Sequence, residues 1–366
     1  MSIIKIIEHV TIYENPIPSL VSRHAYFPGL VNLPSGGLIA LFPIGEAFEA
    51  SMTMYVSQSN DNGRSWMLDG PMHDDFELGL GALKPTLLDD GTLIALGYGF
   101  NRNNPEILAN PETGGLPNGA NYVSFSKNEG CTWTFPEAIS LSRPEILETS
   151  GPCTQLRNGD IIATGTPFPM WDGTIPSGRK GIVLRSRDSG KSWDDQTVFY
   201  DSVSNNISPY ETHSCEMQDG RIVIMIWCLD ETAGKSLTNH VVVSHDNGFT
   251  WSEPIDTSVP AQASNIMYLG DNKLLAVHCQ REGDVGLYVH VVDFADDKWN
   301  ILAKTNIWDK VTSMHIGTLA DMGAKLKFGQ PSLTQLEDGD ILATHWAVEN
   351  GQGRILTHRI RVNLAD

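Results

Sequence analysis

The chain has 366 residues, 41% of them hydrophobic, which is ample for a large core, and no apolar run of the roughly 18 residues a membrane helix needs. Its 25 basic and 44 acidic side chains give a formal charge of −19, a field that repels nucleic acid and anionic membrane alike, so neither is expected as a partner. Five scattered cysteines (Cys131, Cys153, Cys215, Cys228, Cys279), odd in number and never in a C-x-x-C pair, argue against a disulfide framework or structural zinc; buried thiols and no metal or other cofactor are the expectation. The start, Met1 to Glu8, is short and quickly acidic for a secretory signal, so a cytoplasmic location is expected unless a signal was removed.

In chain order, Ile3 to Tyr13 alternates like a strand and precedes the first of six copies of one pattern. Each copy is an apolar stretch, a Gly-centred turn and a second apolar strand. The copies run Pro28 to Ala40, Pro85 to Ala95, Pro152 to Ala163, Ser214 to Ile224, Asn265 to Ala276 and Pro331 to Ala343. Asp-Gly or Asn-Gly between short apolar strands is a strong hairpin signal. Four copies are followed by an eight-residue phrase: Ser59 to Trp66, Ser126 to Trp133, Ser186 to Trp193 and Ser244 to Trp251, in the frame Ser-x-Asp/Asn-x-Gly-x-Ser/Thr-Trp. The Asp or Asn can bond the backbone two residues on, Gly supplies positive φ, the hydroxyl closes the turn, and the Trp tucks an apolar body beneath it. These phrases are read as structural turns joining the outer strands of each unit.

Six units of four strands predict an all-β, six-bladed β-propeller of antiparallel blades, one domain over 1–366. The N-terminal strand is expected to pair near Arg354 to Val362, closing the ring and removing an exposed edge. Blades five and six lack the phrase. Gly99 to Asn121, rich in Asn, Pro and Gly, reads as a long loop, and Asp309 to Lys327 has the spacing of a short helix.

The phrase is the Asp-box, and with its repeats the chain resembles sialidase-superfamily propellers over nearly its whole length. Sialidases carry three substrate-binding arginines, a Tyr nucleophile assisted by Glu, and an Asp acid/base. At the corresponding phrases this chain has Tyr26 in place of the first arginine, Trp227 near the second, Met267 near the third, and Gln330 or Pro331 where the Tyr would fall. Only Glu211 matches, which argues against ordinary sialic-acid hydrolysis. A wider group of sialidase-like propellers is similar in blade six, through Phe328-Gly329-Gln330-Pro331-Ser332 with His345-Trp346, and in blade five, through His278-Cys279-Gln280-Arg281. Members act on various glycans by hydrolysis or lyase chemistry, so the resemblance implies a carbohydrate substrate.

In a propeller, the starts of inner strands and the loops after second strands converge on a central pocket. His24, Lys84, Glu148, Glu211, His213, Gln262 and Gln330 open inner strands; Glu46, Arg102, Asp172, Trp227, Asp230, His278, Arg281 and His345 follow second strands. Glu211 and His213 are two apart, so in a regular strand they share a face, and a carboxylate beside an imidazole can orient it as a base. Glu211, His213 and His24 are therefore the expected catalytic set. Arg281, His345, His278, Lys84, Arg102, Tyr26, Tyr210, Trp227 and Gln330 are the expected substrate-binding set. Trp171, Trp227 and Trp346 lie outside the boxes and could stack on a sugar.

Glycoside hydrolysis would pair Glu211 with His213, Glu148, Asp172 or Asp230. The alternatives are β-elimination at a uronate, with Arg281 and Lys84 neutralising the carboxylate and His213 or His24 as base, and a non-catalytic glycan-binding propeller. Homo-oligomerisation is left open.

Overall fold

The computed structural model describes residues 2–21, 23–45, 52–73, 78–101, 109–311 and 326–364. Their strands form six antiparallel sheets, each of four or five strands, whose first strands line a common axis. Blade one holds His24–Ala25 and Gly29–Asn32, then Leu38–Gly45, Thr53–Ser59 and Met67–Pro71. Blade two is Leu78–Leu87, Leu93–Asn101, Gly119–Ser126 and Glu137–Ala138. Blade three opens with Leu147–Glu148 and Thr154–Gln155 and continues through Ile161–Pro167, Lys180–Ser186 and Asp194–Asp201. Blade four is Ile207–Glu216, Ile222–Asp230, His240–Ser244 and Ile255–Asp256, with Lys235–Ser236 at one edge. Blade five is Ser264–Gly270, Lys273–Gln280, Gly286–Asp293 and Asn300–Trp308. Blade six takes Phe328–Gln335, Ile341–Glu349 and Gln352–Val362, and its outermost strand is the N-terminal Ile4–Glu14, paired from Ile4 opposite Val362 to Glu14 opposite Arg354.

The second strand of every blade is buried on both faces because a neighbouring blade covers each, so it reads as a continuous apolar run rather than an alternation. Leu38, Ala40 and Phe42 of blade one pack with Leu342, Trp346 and Ile355 of blade six, while Ile39 and Leu41 pack with Leu83, Leu93 and Ala95 of blade two. Each large side chain so buried contributes roughly 1.5–3 kcal/mol relative to exposure. All five cysteines are free, and burial pushes the Cys153, Cys215, Cys228 and Cys279 thiols up to about 12.

The boxes are turns at the end of the blades that also carries the inner hairpin turns. In the first, Ser59 Oγ donates to Asp61 Oδ1 (2.9 Å) and accepts from Gly63 N (2.9 Å), while Ser65 N and Oγ donate to the two Asp61 oxygens at 2.8 and 2.6 Å. These bonds hold the Asp61 carboxyl down at about 2. Trp66 Nε1 closes the turn on Gly63 O at 3.1 Å. The box glycines also allow close approach. A Cβ on Gly63, Gly130 or Gly190 would lie 2.9, 2.1 or 2.6 Å from Leu342, Ile39 or Ile94, each on the second strand of the preceding blade. Blade six has no box for a topological reason: its third and fourth strands come from opposite ends of the chain. Blade five makes the same connection through the short 3-10 turn Ala295–Asp297.

Of the two predicted insertions, 102–108 within the Gly99 to Asn121 loop and 312–325 within the expected helix lie outside the described residues, as do Glu46 and Arg102. The described remainder of the first is a turn in which Gly114 N donates to Asn110 O and Asn110 N to Gly115 O, both at 2.8 Å, and Leu116 N donates to Pro169 O at 2.9 Å.

Candidate active site

The inner strands are irregular where they approach the axis. Phe27, Glu211 and Gln330, on blades one, four and six, have positive φ (49°, 45° and 39°) although none is glycine. Pairing with the second strand skips between Tyr210 and His213 and between Gly329 and Ser332. Such bulges re-aim side chains, and each left-handed non-glycine residue costs about 1–3 kcal/mol that the surrounding packing must offset.

The bulges assemble a buried polar cluster around two carboxylates. Glu211 N donates to Glu148 Oε2 (2.8 Å), and Ser150 Oγ donates to Glu148 Oε1. Gln330 Nε2 donates to both Ser150 Oγ (2.8 Å) and Glu211 Oε1 (3.0 Å). Blades three, four and six thus meet through one hydrogen-bonded chain. The Glu148 strand is held from blade two by Asn121, whose Nδ2 donates to Leu147 O (2.7 Å) and whose Oδ1 accepts from Leu147 N (2.9 Å).

Two cations flank the carboxylates. Lys84 Nζ donates to Phe27 O (2.7 Å) and Pro28 O (3.0 Å); burial lowers its pKa to about 7, against the opposing charges of Glu211 and Glu148. Arg281 is 1% exposed; its Nε donates to Phe328 O (3.0 Å), its N donates to Gln262 Oε1 (2.8 Å), and its guanidinium lies 5.7 Å from the Trp227 ring. A Cβ on Gly329 would come within 2.1 Å of Arg281 Nη2, so only glycine leaves the guanidinium its place.

Burial raises both carboxyls. Glu148 is pushed well above the usual range by burial and then by the Glu211 charge, against Ser150 and the Glu211 N–H. Glu211 is raised by burial and drawn back by Arg281, Gln330 and Lys84. One carboxyl therefore favours its proton while the other has cations to support its charge. Among the described residues Glu211 Oε2, Gln330 Oε1 and Arg281 Nη1 are buried with no hydrogen-bond partner. Buried polar atoms are rarely left unpaired, so three of them in one cluster single it out as the candidate site.

A model of the BNR repeat-like domain matches residues 107–343 of this sequence. The chain belongs to the BNR repeat-like family. No curated protein matches it. Similar solved structures include a protein of unknown function from Dyadobacter fermentans DSM 18053, with 18% identity and a TM-score of 0.75 over 99% of this chain and 100% of that one. The Hadza microbial sialidase Hz136 is 17% identical, with a TM-score of 0.65 over 93% of this chain and 66% of that one. A Penicillium chrysogenum α-L-arabinanase complexed with arabinobiose is 14% identical, with a TM-score of 0.66 over 98% of each chain. At these identities the likeness is one of fold.

Within this BNR repeat-like propeller the sequence-predicted residues divide. Glu211, Gln330, Lys84 and Arg281 come together, and of the candidate partners for Glu211 it is Glu148 that joins them. Asp172 and Asp230 instead hold local turns, on Thr174 and on Thr232 with Ala233. His213 does not pair with Glu211 as a regular strand would require, because the bulge at Glu211 breaks the alternation; both His213 ring nitrogens are buried without partners and the residue lines the axial cavity. His24 packs against Gly353 of blade six, its ring 6.1 Å from Tyr26.

His278 and His345 lie inside second strands, where side chains face neighbouring strands and blades rather than the axis. His278 Nδ1 meets Ser264 Oγ (2.9 Å) and Asn239 Oδ1 (3.0 Å), and His345 Nε2 meets His358 Nε2 (2.9 Å). Trp227 is 1% exposed, too buried to stack on a sugar, and supports Arg281 instead. Trp346 is equally enclosed and packs edge-on against Tyr26 at 4.9 Å, while Trp171 is exposed. Tyr210 donates to Glu231 Oε1 at 3.1 Å.

Ser150, Asn121 and Tyr98 were not singled out by the sequence. Tyr98 is buried in the field of Glu148 and Glu211; burial and then those charges raise its hydroxyl. Asn121 had a signal: it stands five residues before the box serine Ser126, as Asn239 stands five before Ser244. Asn239 Nδ2 likewise holds the entry to blade five, donating to Ala261 O and Gln262 O at 3.1 Å.

Proposed function

We propose that the protein is a glycoside hydrolase acting on an oligosaccharide or glycan, with Glu148 as general acid and Glu211 as the carboxylate across the ring. The observation that carries this reading is the bridged, unequally tuned Glu148–Glu211 pair beside unpartnered polar atoms of Glu211, Gln330 and Arg281. Glu148 gives its proton to the leaving glycosidic oxygen as the anomeric C–O bond breaks. Glu211 stabilises the positive charge at the anomeric carbon and draws a proton from the water whose oxygen replaces the leaving group. Gln330 and Arg281 bond ring substituents. The sialidase and arabinanase named among the similar structures support a carbohydrate substrate through their shared fold.

A second reading, β-elimination at a uronate, is favoured by one observation: the amine of Lys84, brought to about 7 by burial, lies close enough to Glu148 and Glu211 to feel both charges, in a cluster with Arg281 for a substrate carboxylate. Incubation with neutral, sialylated and uronate-containing oligosaccharides separates the two. Hydrolysis yields reducing ends without new ultraviolet absorbance; elimination yields both. Binding with no product leaves a glycan-binding propeller.

A further inference from the structure

The second strand of blade three, Ile161–Pro167, runs from the hairpin end, where Ile162 pairs with Thr154, to the end that holds Glu148, which pairs with Thr166. Trp171 stands in the turn that follows, five residues past Thr166, a reach of at most about 18 Å. It is 41% exposed, and it is the one exposed tryptophan among the described residues. An indole left in water forgoes one of the largest burial gains a side chain can make, yet the backbone beneath this one is firmly held. Trp171 O accepts from Asn110 Nδ2 (3.0 Å) and Thr113 Oγ1 (2.7 Å), both on the blade-two loop. Met170 N donates to Thr174 O (2.9 Å) and Gly173 N to Met170 O (2.7 Å), which closes the turn on itself. The two loops are so close that a Cβ on Gly115 would lie 1.9 Å from Met170 O. Further on, Ser177 N and Oγ donate to the two carboxyl oxygens of buried Glu145 at 2.6 and 2.8 Å, tying the loop to the segment that leads into Glu148. Phe168, between strand and turn, packs on Tyr98 with ring centroids 5.3 Å apart, and Tyr98 lies in the field of Glu148 and Glu211.

We infer that Trp171 is a stacking platform for a sugar unit remote from the bond that is cleaved, which makes the substrate an oligosaccharide or longer chain running outward over blade three. The inference deepens the hydrolase reading and rests on it for the position of the cleaved bond. One face of a pyranose ring is a patch of C–H groups that covers an indole face and excludes water from both, while the hydroxyls stay at the edge in water. The indole is already in place. Its backbone is fixed from blade two and from the segment before Glu148, so little conformational entropy is lost when a sugar settles on it. Stacking also carries no charge requirement, which suits a chain with a formal charge of −19. The box tryptophans sit at the opposite end of the blades, and Trp227 and Trp346 are enclosed. Trp171 is a binding residue here and touches no reacting atom.

The test compares wild type, Trp171→Ala and Trp171→Phe on neutral, sialylated and uronate-containing oligosaccharides of increasing length, and on an aryl monosaccharide of the sugar that is cleaved. Both variants should fold, because the bonds that hold the turn are made by the Trp171 carbonyl and by its neighbours rather than by the indole. Trp171→Ala should raise KM on the longest cleaved oligosaccharide about tenfold relative to KM on the aryl monosaccharide, with kcat within about twofold, and Trp171→Phe should recover most of the loss. A folded Trp171→Ala with wild-type KM at every length overturns the platform and leaves the hydrolase reading intact. So does an equal rise on the aryl monosaccharide, which would put Trp171 beside the cleaved bond. A wild type that binds the oligosaccharides without cleaving them removes the hydrolase reading; a Kd about tenfold weaker in Trp171→Ala then supports the platform, and an equal Kd overturns it. A wild type that neither binds nor cleaves any of them overturns both.

Discussion

Burial sets the protonation of the polar residues in this protein. His213 and His345 are lowered to about 3 and His290 to about 4, and His278 and His358 fall well below the ordinary value, in each case chiefly by burial. With folded values below the unfolded 6.5, these histidines contribute stability above that pH and lose it as pH falls toward the folded values, at roughly 1 kcal/mol per pH unit each. Glu148 and Glu211, raised on folding, act with the opposite sign above their unfolded 4.5 and offset part of this. Urea unfolding between pH 7 and 5 should therefore show stability falling with acid, because five lowered histidines outweigh two raised carboxyls; a flat or rising profile would contradict it. The blade register made Glu211, Gln330, Lys84 and Arg281 legible in sequence as pocket residues, and put Glu148 among the candidate partners. It misplaced His278 and His345 because a residue within a second strand faces its neighbours, and only those beyond the strand end turn toward the axis.

Elements carry two kinds of information, and the sequence displayed only one. Hairpins and boxes announce themselves through Gly, Asp and Trp at constant offsets, and the strands follow them. The bulges at Glu211 and Gln330 leave no such mark, which is why the expected shared face of Glu211 and His213 fails. The box glycines offer a test at this scale. Gly130→Ala combines a φ of +79° with a Cβ 2.1 Å from Ile39 Cδ1, whereas Gly159→Ala has φ +89° and nothing within 4 Å. Thermal or urea unfolding should show Gly130→Ala destabilised by about 2–4 kcal/mol and Gly159→Ala by about 1–2 kcal/mol. Equal costs would mean that the boxes act as turns alone, without locking each blade to the one before it.

At the scale of the whole molecule, closure by the N-terminal strand removes the open edge of blade six. Glu14 and Glu8 pair with Arg354 and Arg359 at 3.3 and 3.5 Å, and His9 meets His358 across the same seam. A closed ring lets residues from separate blades meet at one point: Glu148 with Ser150, Glu211 and Gln330 come from three distant stretches of the sequence and are joined in one hydrogen-bonded chain. The architecture was legible because repetition multiplies a weak local signal; the chemistry was only partly so, because each blade contributes one or two residues that no repeat predicts. The most direct test compares wild type, Glu148→Gln and Glu211→Gln on a cleaved glycan and on an aryl glycoside of the same sugar with a good leaving group. Both variants should lose about 10²–10⁴ in kcat on the glycan, with Glu148→Gln largely restored on the aryl glycoside and Glu211→Gln impaired on both. Folded variants of either residue that cleave the glycan at the wild-type rate would contradict the assignment.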